Sequence, residues 1–173
     1  MNRLLRLEPF LVGRKLTIYT IRFLDKYEKP ELLSETEKFF ESITESHSDD
    51  YQIFKALLKN IIDISGARPK FFRDESNSDC NYLKALVREN QDGTKYQGEC
   101  RLYCLHYDNE RLILGNGGIK KTRTFNEDSK LNKFAKVLQR LDLLLYNLEK
   151  EGELIWKGSI LEFDFNHKFE VDL

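Results

Sequence analysis

Two kinds of hydrophobic periodicity run along this chain, one typical of strands and one typical of helices. Residues 16–24 are rich in β-branched and aromatic side chains, which predicts a strand. Apolar residues at helical spacing then predict one helix over residues 31–46 and another over residues 49–65. Ser34 and Glu37 have the spacing of a capping box near the start of the first helix.

The middle of the chain is predicted to form short antiparallel strands. Residues 82–87 have the pattern of a strand, and residues 100–107 and 111–114 that of a β-hairpin around a polar turn. Three of the four residues 115–118 are glycine, but no lysine stands at the spacing of a phosphate-binding loop. We therefore interpret these glycines as a bulge or kink between strands, ahead of the basic segment 119–124.

The last part of the chain shows the longest helical pattern and the longest alternating pattern. Asn126 or Asp128 caps a helix that is predicted to run to about Lys150. Its leucine stripe is wider than one flat contact needs, so we expect this helix to be buried on two sides or used in an interface. From Leu161 to Val171 apolar and polar residues alternate, which predicts one long strand with a mostly acidic outer face.

The predicted order β-α-α-β-β-β-α-β belongs to the α+β class. We expect a small twisted, mainly antiparallel sheet with two N-terminal helices packed on one face, plus a long C-terminal helix and an extra C-terminal strand. The chain shows no linker, so residues 1–173 are predicted to form a single domain. One face of the sheet is expected to stay open.

Charge and hydropathy narrow the class of protein. The net charge is -1, yet the stretch from Lys95 to Arg140 holds ten Lys or Arg against five Asp or Glu, which favours one basic face. No apolar run approaches the roughly 18 residues of a membrane span, and the start lacks a signal-peptide layout. We expect a cytoplasmic protein with no membrane partner.

The sequence contains few residues or motifs that indicate a catalytic, cofactor-binding or metal-binding site. The chain contains no phosphate-binding loop, dinucleotide fingerprint, HExxH or GxSxG motif, and its cysteines match no four-ligand zinc pattern. We therefore expect no metal and no cofactor, with free thiols at Cys80, Cys100 and Cys104. His106, on the hairpin, is a candidate general acid or base, and the alternative is a structural histidine.

The strand YLKALV, the segment GECRLYCLHYDNERLILGNGGIKKTRTF and the charged helix after it resemble the RelE/HigB toxins of the RelE/ParE superfamily. The resemblance covers residues 16–145, with specific motif content at 82–125, and leaves 150–173 as an extension. It implies a bacterial, ribosome-dependent mRNA endonuclease of a toxin–antitoxin pair that works without metal. In that reaction the ribose 2′-hydroxyl attacks the adjacent phosphate and leaves a cyclic phosphate.

The resemblance also implies roles for individual residues. Arg101 matches the arginine that opens the family's central strand, so a phosphate-binding role is implied, and Tyr103 on the same strand face is a base-stacking candidate. The family's basic segment after the next strand corresponds to Lys120, Lys121 and Arg123, and Lys84 lies near a basic position on the preceding strand. The implied catalytic set is Arg101, Lys121, Arg123 and His106, with Lys84, Tyr103 and Lys120 binding RNA.

Several features depart from this family and leave alternatives open. Phe125 stands where some relatives carry a catalytic tyrosine, and the chain is longer and more acidic than most of these toxins. A non-catalytic protein-binding member of the same superfamily, related to gyrase inhibitors or a degenerate toxin, is one alternative. A structural homo-oligomer is another. The implied partners of the toxin are a cognate antitoxin, the ribosome and mRNA, with a homodimer as a further option.

Overall fold

The structure is a computed structural model that describes residues 1–75, 80–96, 98–120 and 128–173. These residues form an α+β fold with three α-helices and a curled, mixed seven-stranded sheet. The helices are α1 (Glu35–Ile43), α2 (Ser48–Asn60) and α3 (Ser129–Lys150). The strands are β1 (Asn2–Val12), β2 (Thr17–Phe23), β3 (Phe72–Asp74), β4 (Leu83–Leu86), β5 (Cys100–His106), β6 (Leu112–Ile119), β7 (Ile155–Lys157), β8 (Ile160–Glu162) and β9 (Phe169–Asp172).

The large sheet has the strand order β3-β4-β5-β6-β2-β1-β9, and β7 and β8 form a separate hairpin. Neighbouring strands are antiparallel except β2 and β6, which are parallel. The α+β class is thus confirmed, but the sheet is larger than predicted. The sequence pattern missed β1, whose pairing with β2 shifts register between Pro9 and Leu11. A proline inside an apolar run argues against a strand, although an irregular ladder tolerates it.

One core lies between the sheet and the helices α1 and α2. Its sheet residues include Leu86, Cys100, Leu102, Cys104 and Leu112, and its helix residues include Phe39, Ile43, Phe54 and Leu58. The capping box predicted for α1 is confirmed, because Ser34 Oγ accepts from the Glu37 amide while the Glu37 carboxylate accepts from the Ser34 amide. α2 continues as a π-helical turn (Ile61–Ser65) that ends at Gly66, as expected.

A second core covers the opposite face, so the expected open face is wrong. Here α3 packs on Ala85, Tyr103 and Leu105 through Leu131, Ala135, Val137, Leu138, Leu141, Leu145 and Leu148. At roughly 1.5–3 kcal/mol for each large side chain, this burial is comparable to the whole stability of a domain. The helix is therefore a fixed part of the core. The wide leucine stripe had this physical reason: α3 contacts both the sheet and the C-terminal tail.

The C-terminal tail is not one long strand. Leu161, Phe169 and Val171 are buried in the second core, so the alternation of burial survives. A turn separates β8 from β9. The Asp164 side chain accepts from the amide of Asn166, and its backbone carbonyl oxygen accepts from the amide of His167. Aspartate and asparagine close such turns with their side chains. β9 then pairs with β1 and forms an edge of the sheet.

The glycine-rich segment after the hairpin is a bulge, as predicted. The β5–β6 register shifts between Leu102 and Cys104, where Gly115 and Asn116 of β6 oppose the single residue Tyr103 of β5. A Cβ atom at Gly115 would lie 2.8 Å from Cδ1 of Leu138 in α3. A Cβ atom at Gly117 would lie 1.8 Å from the Arg101 carbonyl oxygen. The glycines allow α3 and β5 to approach β6 closely.

The described residues contain neither a membrane-spanning helix nor a group of side chains arranged to bind a metal ion. In the part of the chain that the structure describes, no helix is long and apolar enough to cross a membrane. Within the same ranges no group of three or more His, Cys, Asp or Glu side chains is arranged to hold a metal ion.

Candidate functional site

Arg101 is the predicted site residue with the most unusual surroundings. It lies on β5 with its side chain on the α3 side of the sheet, the same side as Tyr103. Only 9% of the residue is exposed. Its Nη1 atom donates to the carbonyl oxygens of Gly98 and of Cys100, the latter at 2.9 Å. Among the described residues, no partner accepts from its Nε atom.

Three more charged residues surround this guanidinium. Arg73 lies on β3 and is level with Tyr103, because Arg73 pairs with Ala85 and Ala85 pairs with Tyr103. Glu75 directly follows β3, and the charges of Arg73, Lys120 and Arg101 act on its carboxyl group. Lys120 follows β6, and its amide donates to the Glu99 carbonyl oxygen at 2.8 Å. We call Arg73, Glu75, Arg101 and Lys120 the arginine cluster.

Within the described residues the arginine cluster holds three cations and one carboxylate, and the charge of Asp128 also acts on the neighbouring Tyr103. Nη2 of Arg73 is 3.7 Å from Oε1 of Glu75, which is longer than a hydrogen bond. Within the described ranges that carboxylate oxygen has no hydrogen-bond donor. Burial lowers the pKa of Arg101, and the like charge of Arg73 lowers that pKa further. The guanidinium groups of Arg73 and Arg101 are suited to bind the oxygens of an anion such as a phosphate.

Glu75 has the properties of a general base. Burial raises the pKa of this carboxyl group, and the nearby charges of Arg73, Lys120 and Arg101 only partly oppose that shift. A carboxylate with a raised pKa is a stronger base, closer to the pH at which an enzyme works. The cluster therefore combines cations for a phosphate with a group that accepts a proton.

Tyr103 does not have the exposure that base stacking requires. The residue is 1% exposed and belongs to the core beneath α3. Burial also raises the pKa of its phenol, so the hydroxyl stays protonated. The expectation of an accessible stacking ring is wrong, because α3 occupies the side of the sheet that was expected to be open.

His106 and Lys84 lie on the other side of the sheet from Arg101. His106 is 8% exposed, stacks on Phe72 with ring centroids 3.9 Å apart and hydrogen-bonds through Nε2 to the Ala67 carbonyl oxygen at 2.6 Å. Burial lowers the pKa of its imidazole, so it is neutral at pH 7. Lys84 forms an ion pair with Asp74. The expected grouping of His106 with Arg101 is thus wrong, and the alternative of a structural histidine fits these contacts.

His106 and Lys84 do share a cleft at the β3 edge of the sheet. This cleft has a volume of about 670 Å³ and is also lined by Phe72, Asp74 and Lys95. Lys95 donates to the Phe72 carbonyl oxygen, which fixes its position beside the cleft. The two predicted residues thus line a weakly basic cleft, which Arg73 of the arginine cluster lines as well.

Two predicted residues have no described position, and two residues of the arginine cluster were not predicted. Lys121 and Arg123 lie outside the described residues, so their predicted roles stay predictions. Arg73 and Glu75 were missed by the sequence pattern. Arg73 lies on β3, which has only three residues, too few for a periodicity to be visible, and Glu75 follows that strand.

Comparison of this chain with protein-family models, with curated proteins and with solved structures found no match. The chemistry of the described side chains is therefore the basis on which a function is proposed.

Proposed function

We propose that this chain is a ribosome-dependent, metal-independent mRNA endonuclease, the toxin of a toxin–antitoxin pair of the RelE/HigB type. The observation that carries the proposal is the arginine cluster, in which the buried Arg101 lies near the half-buried side chains of Arg73 and Glu75, and Glu75 lies near Lys120. Two members of the cluster, Arg101 and Lys120, are residues to which the sequence resemblance gives roles in RNA binding or cleavage. The guanidinium groups of Arg73 and Arg101 are suited to bind the oxygens of an RNA phosphodiester.

The proposed reaction is transfer of the phosphoryl group to the neighbouring ribose oxygen. Glu75 removes the proton of the 2′-hydroxyl, whose oxygen then attacks the adjacent phosphorus. Arg101 and Arg73 bind the non-bridging oxygens and stabilise the charge of the transition state. The bond to the 5′-oxygen breaks, and the Lys120 ammonium gives that oxygen a proton. Products are a 2′,3′-cyclic phosphate and a free 5′-hydroxyl.

The finer fold arrangement is part of this proposal. We infer that the two helices between β2 and β4 correspond to the N-terminal helices of the toxins, that α3 corresponds to the charged helix after the basic segment, and that β9 belongs to the C-terminal extension. Because α3 is part of the core, RNA is proposed to reach the cluster at the end of the sheet. The segments 76–79 and 121–127 continue directly from Glu75 and Lys120, and Lys121 and Arg123 are proposed as further phosphate ligands.

The proposed antitoxin would act at the same end of the sheet. A partner cannot lie on the sheet face itself, since α3 already covers it. An acidic segment that pairs with the arginine cluster would compete with RNA for the same cations. Cytoplasmic localisation is implied, because the proposed substrate is translated message.

Induced expression in bacteria tests the toxin function. The wild-type chain should arrest growth and shorten cellular messages, whereas Arg101→Lys should not, because lysine keeps the charge but loses the two-pronged guanidinium contact. Arg14→Lys, an exposed arginine outside the cluster, is the matched control and should remain toxic. Lys121→Ala should also abolish toxicity. Normal growth and intact messages on wild-type expression would remove the proposal.

The burial of Tyr103 favours a second candidate function. A member of the same superfamily that binds protein without cleaving RNA needs no accessible stacking ring. For that candidate, expression would leave messages intact and give either DNA-damage signalling, as expected of gyrase inhibition, or no phenotype. Homodimerisation also remains a prediction, which analytical ultracentrifugation of the purified chain would check.

A further inference from the structure

A second cavity lies at the far end of β5 from the arginine cluster, between α3 and β7. Its volume is about 560 Å³, within the range of small-molecule pockets. Aromatic rings of Tyr82, Tyr107, Tyr146 and Trp156 line it. The Tyr82 and Tyr107 ring centroids are 4.8 Å apart, and those of Tyr107 and Trp156 are 6.1 Å apart. Tyr146 is 61% exposed, so one of the rings is open to an incoming ligand.

A carboxylate with a fixed orientation forms the polar wall of this cavity. Asp142 on α3 accepts a hydrogen bond from the Tyr107 hydroxyl at 2.8 Å on one oxygen. Its other oxygen accepts from Cys80 Sγ at 3.2 Å. Each carboxylate oxygen has a second lone pair, so Asp142 can still accept from a ligand. Two neutral donors hold the side chain in place without cancelling its charge.

An arginine lies beside the same aromatic ring. The Arg111 guanidinium carbon is 5.5 Å from the Tyr107 ring centroid and 5.8 Å from that of Trp156. Its Nε donates to Asp108 at 2.8 Å, and in the described part of the chain its Nη atoms have no acceptor. Tyr107 thus has an arginine over its face and a carboxylate at its hydroxyl.

The chemistry of these walls selects the class of ligand. A second cation is disfavoured, because Arg111 already lies over the rings of Tyr107 and Trp156. A simple anion is disfavoured by Asp142. A neutral planar ring fits the aromatic side chains, Arg111 and Asp142 together, if it stacks on the aromatic rings and presents both donors and acceptors. Guanine has acceptors at O6 and N7 for an arginine and N–H donors for a carboxylate.

We propose that this cavity binds a guanine base, with Arg111 at its acceptor edge, Asp142 at its donor edge and Tyr146 stacking on its face. The site is separate from the arginine cluster. Arg101 and Tyr107 are six residues apart along β5 and its end, or about 20 Å at strand spacing. The inference therefore does not depend on RNA cleavage.

Fluorescence of the full chain provides the test, because Trp156 is its single tryptophan and lines the cavity. Titration with guanosine monophosphate, corrected for nucleotide absorbance, should give a saturable change. Adenosine and uridine monophosphates should bind at least about tenfold more weakly, since neither base has two adjacent acceptors like guanine O6 and N7 together with two adjacent donors like guanine N1–H and N2–H. Inosine monophosphate, without the 2-amino group, should fall between them.

Variants separate base recognition from folding. Asp142→Asn should weaken guanosine monophosphate binding about tenfold or more, and the exposed Asp49→Asn is its matched control. If Asp142→Asn unfolds, Tyr146→Ala reports instead, because its exposed ring supports stacking and little of the core.

A single-stranded oligonucleotide with one guanosine identifies the source of the base. If the oligonucleotide binds and guanosine monophosphate does not, the natural ligand is RNA. If each of the two binds when added separately, a free nucleotide is sufficient. Equal weak binding of all nucleotides, unaffected by Asp142→Asn or Tyr146→Ala, or no fluorescence change with either ligand at millimolar concentration, would overturn the proposal.

Discussion

Replacing Gly115 with alanine, alone and together with Leu138→Ala, probes how α3 covers the sheet. A Cβ atom at position 115 would lie 2.8 Å from Cδ1 and 3.1 Å from Cγ of Leu138. Overpacking of this kind costs about 1–3 kcal/mol, offset by about 0.4–1 kcal/mol from the stiffer unfolded chain. We expect Gly115→Ala to lower the free energy of unfolding by about 1–2 kcal/mol.

Leu138→Ala removes the side chain that the new methyl group would meet. Leu138 is fully buried, so truncation should cost about 2–5 kcal/mol through the cavity it leaves. In the double variant the methyl group at position 115 occupies part of that cavity. The loss in the double variant should therefore be smaller than the sum of the single losses by about 1–2 kcal/mol.

Urea unfolding followed by Trp156 fluorescence measures these free energies, and equal m-values would show that the comparison is valid. Gly118→Ala paired with Leu138→Ala is the control, because Gly118 faces Leu131 and not Leu138. That pair should be additive within about 0.5 kcal/mol. Additivity in the Gly115 pair as well would refute the packing of α3 on the bulge.

Three further predictions concern the cluster, the bulge and the first helix. Glu75→Gln should raise the free energy of unfolding near pH 7, because burial raises the pKa of Glu75 and its ionised form destabilises the fold. This gain in the free energy of unfolding should disappear as the pH falls through the raised pKa of Glu75. A variant that is less stable than the wild type at every pH would contradict the prediction. Gly117→Ala should cost at least about 3 kcal/mol in urea unfolding, since its Cβ atom meets backbone of Arg101; a cost like that of Gly118→Ala would be the opposing result. Ser34→Ala should cost about 1 kcal/mol by removing the cap of α1, and an unchanged unfolding midpoint would argue against the capping box.

The elements that sequence reasoning predicted well are those fixed by nearby residues. The caps at Ser34 and Asp128 depend on contacts with amides two or three positions away, and both are present. The end of α3 is marked by Gly152 with a positive φ, which glycine adopts without strain. Local patterns contain all the information that these features need.

The features that were missed depend on distant partners. β1 is stabilised by β2 and β9, and β9 comes about 160 residues later in the chain, so no local window contains that pairing. The interruption of the tail depends on a turn at Asp164 that a strictly alternating pattern conceals. α3 covers the second face of the sheet through contacts with strands that lie far from it in the sequence.

The candidate site shows the same division. Arg101 and Lys120 were predicted from a resemblance in a contiguous segment. Arg73 joins them through the β3–β4–β5 register, and Glu75 follows β3, and the sequence does not reveal that register. His106 was predicted to act with Arg101, but it lies on the opposite side of the sheet, because residues five apart on a strand point in opposite directions.

The most direct test of the proposed activity is the chemistry of the RNA ends. Purified chain is added to translating ribosomes, and the new 3′ ends of the message are mapped with and without phosphatase treatment. Attack by the 2′-hydroxyl predicts 3′ ends that accept ligation only after the cyclic phosphate is removed, and their absence with Arg101→Lys. Intact message, or ends that ligate without treatment, would contradict the account.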